Sequence, residues 1–235
     1  MTLAYRALAA LLTYPTAETQ AAMPAVAEAL DAEMRIPAPV RRALHRLAGE
    51  LAEMDLYEAQ EQFVWLFDRT RSLSLNLYEH VHGESRDRGQ AMVALLELYR
   101  AKGLELSANE LPDHLPVFLE FISTLPDDEA ASLLGEAAHV LAAIGERLHK
   151  RESAYRAVFG ALVALAADPA DAEALAALNA EPDDDPADLE AMDKLWAETA
   201  VTFGPSDVGC PKAELLVKSM NANPPPPRRR AGQAA

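Results

Sequence analysis

Two short stretches concentrate the side chains that can do chemistry. Glu79-His80-Val81-His82-Gly83-Glu84 sets two imidazoles between carboxylates, and Glu110-Leu111-Pro112-Asp113-His114 sets a carboxylate beside a third imidazole. Imidazoles and carboxylates are ligands for zinc and other divalent ions. His80 and His82, however, stand about 200° apart on a helix, so a helix cannot converge them on one ion. The alternative is that both histidines bond to nearby backbone and order the loop. Asp113-His114 admits a general base with its orienting carboxylate, yet no Ser or Cys nucleophile stands out by motif, and adjacent residues rarely point at one another. Read structurally, Pro112 fixes the backbone ahead of a helix, Asp113 caps it, and His114 sits in its first turn, where a neutral imidazole suits the positive dipole end. Arg86-Asp87-Arg88 forms a third cluster. It either pairs with Glu79, Glu84 or itself, or takes a carboxylate or phosphate through bidentate arginine.

Helices must position these clusters. Leu8, Leu11 and Leu12 predict a first helix that Tyr14-Pro15 ends. Thr16 caps a second, carrying Met23, Val26, Leu30 and Met34, with Pro24 as a kink or a fresh turn. Val40, Leu44, Leu47, Leu51 and Met54 alternate in steps of four and three and share one stripe. Asp55 caps the next helix, where Phe63, Val64 and Phe67 turn inward and Trp65 and Leu66 widen the apolar surface. Ser85 or Asp87 caps a helix with Met92, Leu95, Leu96 and Tyr99 inside and Gly103 as its stop. Leu115, Phe118, Leu119 and Ile122 give another stripe, and Pro116 fits its first turn. One long helix is predicted from Asp127 or Asp128 through Leu133, Ala137, Leu141, Ile144 and Leu148, its dipole complemented by Arg147, His149, Lys150 and Arg151. Ser153 caps a helix with Val158, Phe159, Leu162 and Leu165. Asp171 to Leu178 predicts a shorter one, and Leu189, Met192, Leu195 and Trp196 a last amphipathic turn or two. No strand pattern and no repeat period emerges, so the fold class is all-α, a single-domain helical bundle over residues 1–204. Residues 205–235, with the run Asn223 to Arg230 (NPPPPRRR), are expected to form a disordered tail.

Composition narrows the function classes. The 235 residues carry 37 acidic and 21 basic side chains, a formal net charge of −16, which repels phosphate backbones and argues against nucleic acid as a partner. The same field draws in a positively charged peptide. Cys210 is the only cysteine, so neither an intrachain disulfide nor a multi-cysteine metal site can form. The apolar run Ala7 to Leu12 is too short to cross a membrane and reads as a core helix, which gives a cytoplasmic expectation.

The chain resembles the NarJ family, the dedicated assembly chaperones of membrane-bound respiratory nitrate reductase, related to the TorD/DmsD class. The resemblance rests on LYEHVHGESRDRGQAMVALLELYRAKGLEL (Leu77 to Leu106) followed by ELPDHLPVFLEFIS (Glu110 to Ser123). LLTYP, EQFVWLFDRTRSLSLNLYEH and AVTFG support it, and together they extend from about Leu8 to Gly204. It implies a TorD-like helical bundle, no enzyme activity and no cofactor of its own. Such a protein binds the apo catalytic (alpha) subunit, chiefly through its N-terminal segment, and holds it until molybdenum cofactor is inserted. The wider family's Glu-x-Pro-x-Asp-His signature falls on Glu110, Pro112, Asp113 and His114, here one residue shorter between Pro and His.

The resulting expectation is a groove between aromatic-bearing helices that grips a basic amphipathic helix of the client. Its site residues are Glu79, His80, His82, Glu84, Arg86, Glu110, Pro112, Asp113, His114 and Phe118, with Asp113, His114, Glu79 and Glu84 at the rim. His114, titrating near neutrality, is expected to make the grip depend on pH. Two other readings compete: a metal-dependent hydrolase using His80, His82, Asp113 and His114, and a chaperone for a different molybdoenzyme.

Overall fold

The computed structural model describes residues 3–83, 86–106, 110–183 and 187–188. Among these the protein is all-α. The helices are α1 (Leu3–Leu11), α2 (Ala17–Asp31), α3 (Ala38–Glu53), α4 (Leu56–Phe67), α5 (Leu77–His82), α6 (Arg86–Ala101), α7 (Leu115–Ile122), α8 (Asp127–Glu136), α9 (Ala138–Lys150), α10 (Arg156–Leu165) and α11 (Ala172–Ala180), and a 3₁₀ turn spans Arg71–Leu73. The helix expected around Leu189 to Trp196, the remainder of the bundle to residue 204 and the tail 205–235 lie outside the described residues.

Apolar content decides which helices are central. In α7 Leu115, Pro116, Phe118, Leu119, Phe121 and Ile122 are all buried, so this helix is apolar nearly all round and can only be an interior element. It packs on α1, which in turn lies against α2; α3 pairs with α2, α10 with α9, α3 and α8, and α11 lies on α9. Leu44, Leu47 and Leu51 of the α3 stripe are buried, as their spacing requires.

Helix ends follow local chemistry in several places. The Thr16 hydroxyl accepts from Thr19 N and the Thr19 hydroxyl accepts from Thr16 N, a reciprocal cap. Asp55 accepts from Tyr57 N and Glu58 N, and Asp171 from Ala174 N. Gly103, at φ 79°, ends α6 while Leu104 N donates to the Tyr99 carbonyl at 3.0 Å.

Elsewhere the structure departs from expectation. Pro24 starts no fresh turn, since α2 runs continuously past it. The long helix predicted from Asp127 is two, broken at Ala137, where φ is −95° and ψ is 0°. Ala131 O in α8 accepts from Ala167 N at 2.9 Å, and a Cβ on Gly135 would stand 3.3 Å from Asp168 N. This close docking onto the turn after α10 fixes α8 in a direction that α9 does not continue. Pro126, not Asp127 or Asp128, is the residue at the cap of α8, and both aspartates lie in its first turn. Ser153 does not cap α10; Tyr155 holds that position, and the Ser153 hydroxyl accepts from Tyr155 N. Trp65 does not widen the inner surface of α4 but lies outward, with the Arg69 guanidinium 4.8 Å from its ring centroid.

Candidate functional site

The two polar motifs, separated in sequence by α6, meet in the fold. Asn76 and His114 face each other in a single antiparallel bridge. Leu77 N donates to Asp113 O at 3.0 Å and Leu115 N to Leu75 O at 2.8 Å, so the start of α7 is stitched to the start of α5. Tyr99 of α6 closes the joint from the other side, donating its hydroxyl to Pro112 O at 2.7 Å while its ring lies 4.3 Å from that of Phe121.

Asp113 stands at the centre of the joint. It is fully buried, at 0% exposure, so it is not at a rim, and it does not cap its own helix. Its Oδ2 instead accepts from Tyr78 N at 3.1 Å, satisfying an orphan donor in the first turn of α5. The N-cap of α7 is His114, one position ahead of the first turn in which it was expected. Arg88 of α6 bridges the motifs: its Nη1 is 3.0 Å from Glu79 Oε1 and its Nη2 3.9 Å from Asp113 Oδ2. Burial pushes the Asp113 carboxyl above its usual range, and the Tyr78 N–H and Arg88 only partly oppose this.

The histidines take separate roles. His80 Nε2 bonds to Ser74 O at 2.8 Å, and burial pushes its titration below the ordinary imidazole range. His82 contacts the Tyr78 ring at 5.7 Å between centroids. His114 Nδ1 lies 3.7 Å from Glu110 Oε2, beyond hydrogen-bond length, and burial lowers its titration too. His114 is therefore neutral at pH 7, and its charge change moves away from the neutral range in which the sequence put it. Among the described residues no group of three or more His, Cys, Asp or Glu is placed to hold a metal ion, and His80 spends its Nε2 on a carbonyl. The hydrolase reading loses its ligand set on this geometry.

Burial sorts the expected site residues. Pro112, Asp113 and Phe118 are buried, Glu79, His80, His82 and His114 are half-buried, and Glu110 is exposed. Glu84 and the Arg86 side chain lie outside the described residues. Exposed apolar side chains flank the joint: Val81 of α5, Val93 of α6 and Leu111 ahead of Asp113 are 50%, 55% and 41% exposed. Tyr99 and Arg147 were missed as parts of this region. Apolar spacing marks Tyr99 only as core; the signal for more is that a buried phenol needs a hydrogen-bond partner. Arg147 of α9 is 3% exposed, with Nη1 donating to Ser72 O at 2.9 Å and Nη2 to Leu178 O at 2.7 Å. Its position three residues after Ile144 on the apolar face of α9 was the available signal.

Depressed histidines make stability depend on pH with a definite sign. A folded-state imidazole harder to protonate than the unfolded one, whose value is about 6.5, stabilises fully above that pH and progressively less below it, until its own folded value is passed. Wild-type protein is expected to lose stability from pH 7 to 5 more steeply than His80→Gln, by up to about 1.4 kcal/mol per pH unit. Denaturant titrations at pH 7, 6 and 5 read the difference; parallel slopes would mean that His80 titrates alike in both states.

Fold and site together define an all-helical protein whose polar centre is a buried joint between helices. A family profile described as nitrate reductase delta subunit matches residues 33–161, a span that contains both motifs. The nitrate reductase molybdenum cofactor assembly chaperone NarJ of Escherichia coli (strain K12) is 44% identical over 202 residues, covering 85% of this chain and 84% of that protein. The probable chaperone NarW of the same organism is 45% identical over 154 residues, 65% of this chain and 66% of its own. The probable chaperone NarJ of Bacillus subtilis (strain 168) is 28% identical over 160 residues, 68% and 86% of the two chains. This chain belongs to the nitrate reductase delta subunit family.

Proposed function

We propose that the chain is a cytoplasmic assembly chaperone of respiratory nitrate reductase, not an enzyme. It binds the apo catalytic (alpha) subunit through that subunit's N-terminal segment and keeps it open to molybdenum cofactor insertion. The observation that carries this reading is the 44% identity, across 85% of the chain, to a protein named as such a chaperone. Local chemistry supports the mode of binding. The same two motifs carry the carboxylates of Glu79 and Glu110 and the exposed apolar Val81 and Leu111, a composition that suits a basic amphipathic helix. The net charge of −16 steers such a helix inward, and apolar burial supplies most of the affinity. Asp113, Pro112 and Phe118 contribute from beneath, by holding α5 and α7 in register. Among the described residues no helix is long and apolar enough to cross a membrane, consistent with a soluble helper.

Calorimetric titration with a synthetic peptide of the alpha subunit's N-terminal segment tests this directly. Micromolar or tighter binding is expected, weakened about tenfold, or 1.4 kcal/mol, by His114→Ala or Glu110→Ala with helicity unchanged. No heat of binding with the wild type would overturn the reading. Undiminished affinity in both variants would move the client surface away from this motif.

A further inference from the structure

The segment that follows α10 is tied to the site by polar contacts more than by packing. In α11 only Leu178 is buried, with Leu175 packed partly against the core, so little apolar area holds it to α9. Polar bonds do the rest: Arg147 Nη2 to Leu178 O at 2.7 Å, Asn179 Nδ2 to Glu146 Oε2 at 2.7 Å, and Arg151 Nη2 to Asp183 Oδ1 at 2.7 Å. Elements with few buried apolar contacts open locally at the lowest cost.

The same two arginines reach the loop beneath α5. Arg147 Nη1 donates to Ser72 O at 2.9 Å, and Arg151 Nη2 lies 3.3 Å from the Ser72 hydroxyl. Two residues on, Ser74 O holds His80 and the Ser74 hydroxyl accepts from Asn76 N, after which Leu75 O and Leu77 N make the bridge to α7. Because Arg147 splits its donors between the two segments, it couples them: once Leu178 O leaves, water takes its place at the guanidinium, which loses half of what holds it against Ser72 O.

We propose that residues 172–183 form a strap whose docking, through Arg147 and Arg151, locks the loop 70–77 and thereby the α5–α7 joint. Release of the strap loosens that joint while the rest of the bundle stays folded. The device is a bistable latch on the candidate site, and it exists whether or not the site binds the proposed client.

Amide hydrogen exchange on the full chain tests it. Leu178→Gln undocks the strap by placing an amide at its one buried apolar contact, and the surface double variant Asn179→Ala/Asp183→Asn loosens it without touching the core. Protection of 172–180 is expected to fall in both. The Leu77, Tyr78 and Leu115 amides should follow, exchanging at least about tenfold faster, with α1, α10 and residues 118–122 of α7 unchanged. A Glu50→Gln control should move none of these. Strap amides that lose protection while Leu77 and Tyr78 keep theirs would overturn the proposal, as would a uniform loss across all helices in the surface variant.

Discussion

Asp113→Ala is expected to lower stability by about 1–3 kcal/mol, whereas Asp113→Asn stays within about 1 kcal/mol of wild type at pH 7. Two effects oppose each other at this residue. The carboxylate answers the Tyr78 N–H at the head of α5 and stands 3.9 Å from Arg88, but its burial disfavours the charge, as its raised titration shows. Alanine removes the acceptor and leaves a buried N–H without a partner, so the loss prevails. Asparagine keeps an acceptor and sheds the buried charge, so the terms nearly cancel. The pH dependence separates the variants further. A carboxyl that binds its proton more tightly when folded gains stability for the protein as pH falls through its raised folded value, levelling off below the unfolded value of about 3.9. Relative to Asp113→Asn, wild type should therefore become more stable between pH 7 and 4, opposite in sign to the histidine effect. Urea midpoints across that range measure it, and a constant difference would place Asp113 at its ordinary titration.

This residue also shows where reading from sequence stops. Pro112-Asp113-His114 does start a helix, as proline and cap chemistry require, yet the capping is done across the fold: Asp113 serves α5, 35 positions earlier. Local rules describe a cap on the helix that follows and carry no information about a partner brought in by tertiary packing. The pairing of Glu79 with an arginine of the next cluster was legible from charge and proximity. That the arginine is Arg88, facing both motifs, depends on how α6 packs against α5.

The same division runs through the fold. The α3 stripe from Leu44 to Leu51 and the Thr16 and Asp55 caps are local, and each stands where composition puts it. The break at Ala137 is not local. The apolar steps Leu133, Ala137, Leu141 run straight through it, and it arises only because Ala131 and Gly135 dock on the turn at Ala167 and Asp168. Periodicity reports which face is buried but not whether a neighbour redirects the axis. The resemblance to a known family rested on the two motifs that the fold joins, so the stretch most informative about identity is also the one whose geometry was least readable.

Arg147→Met should be the more damaging substitution, costing about 2–4 kcal/mol and lowering the melting temperature by roughly 5–15 °C. Expected from sequence only as one of four basic residues complementing a helix dipole, Arg147 turns inward while His149 and Lys150 stay exposed. Methionine keeps an unbranched apolar stem, two atoms shorter, and supplies no donor. Ser72 O then loses its bond, and Leu178 O keeps only the long one from Glu181 N at 3.3 Å. Relief of the guanidinium's own desolvation offsets part of that cost, because no carboxylate among its hydrogen-bond partners compensates the charge. Arg147→Lys should fall between, since an ammonium can reach one carbonyl but lacks the planar fork that serves two segments at once. Arg151→Met, at a partly buried position whose partner Asp183 is reached by solvent, should cost less, about 1 kcal/mol. Thermal melts of the three variants give the order. Equal melting temperatures for Arg147→Met and Arg151→Met would mean that the buried guanidinium contributes no more than a surface ion pair, and that the strap is held to the loop by something other than its two carbonyl bonds.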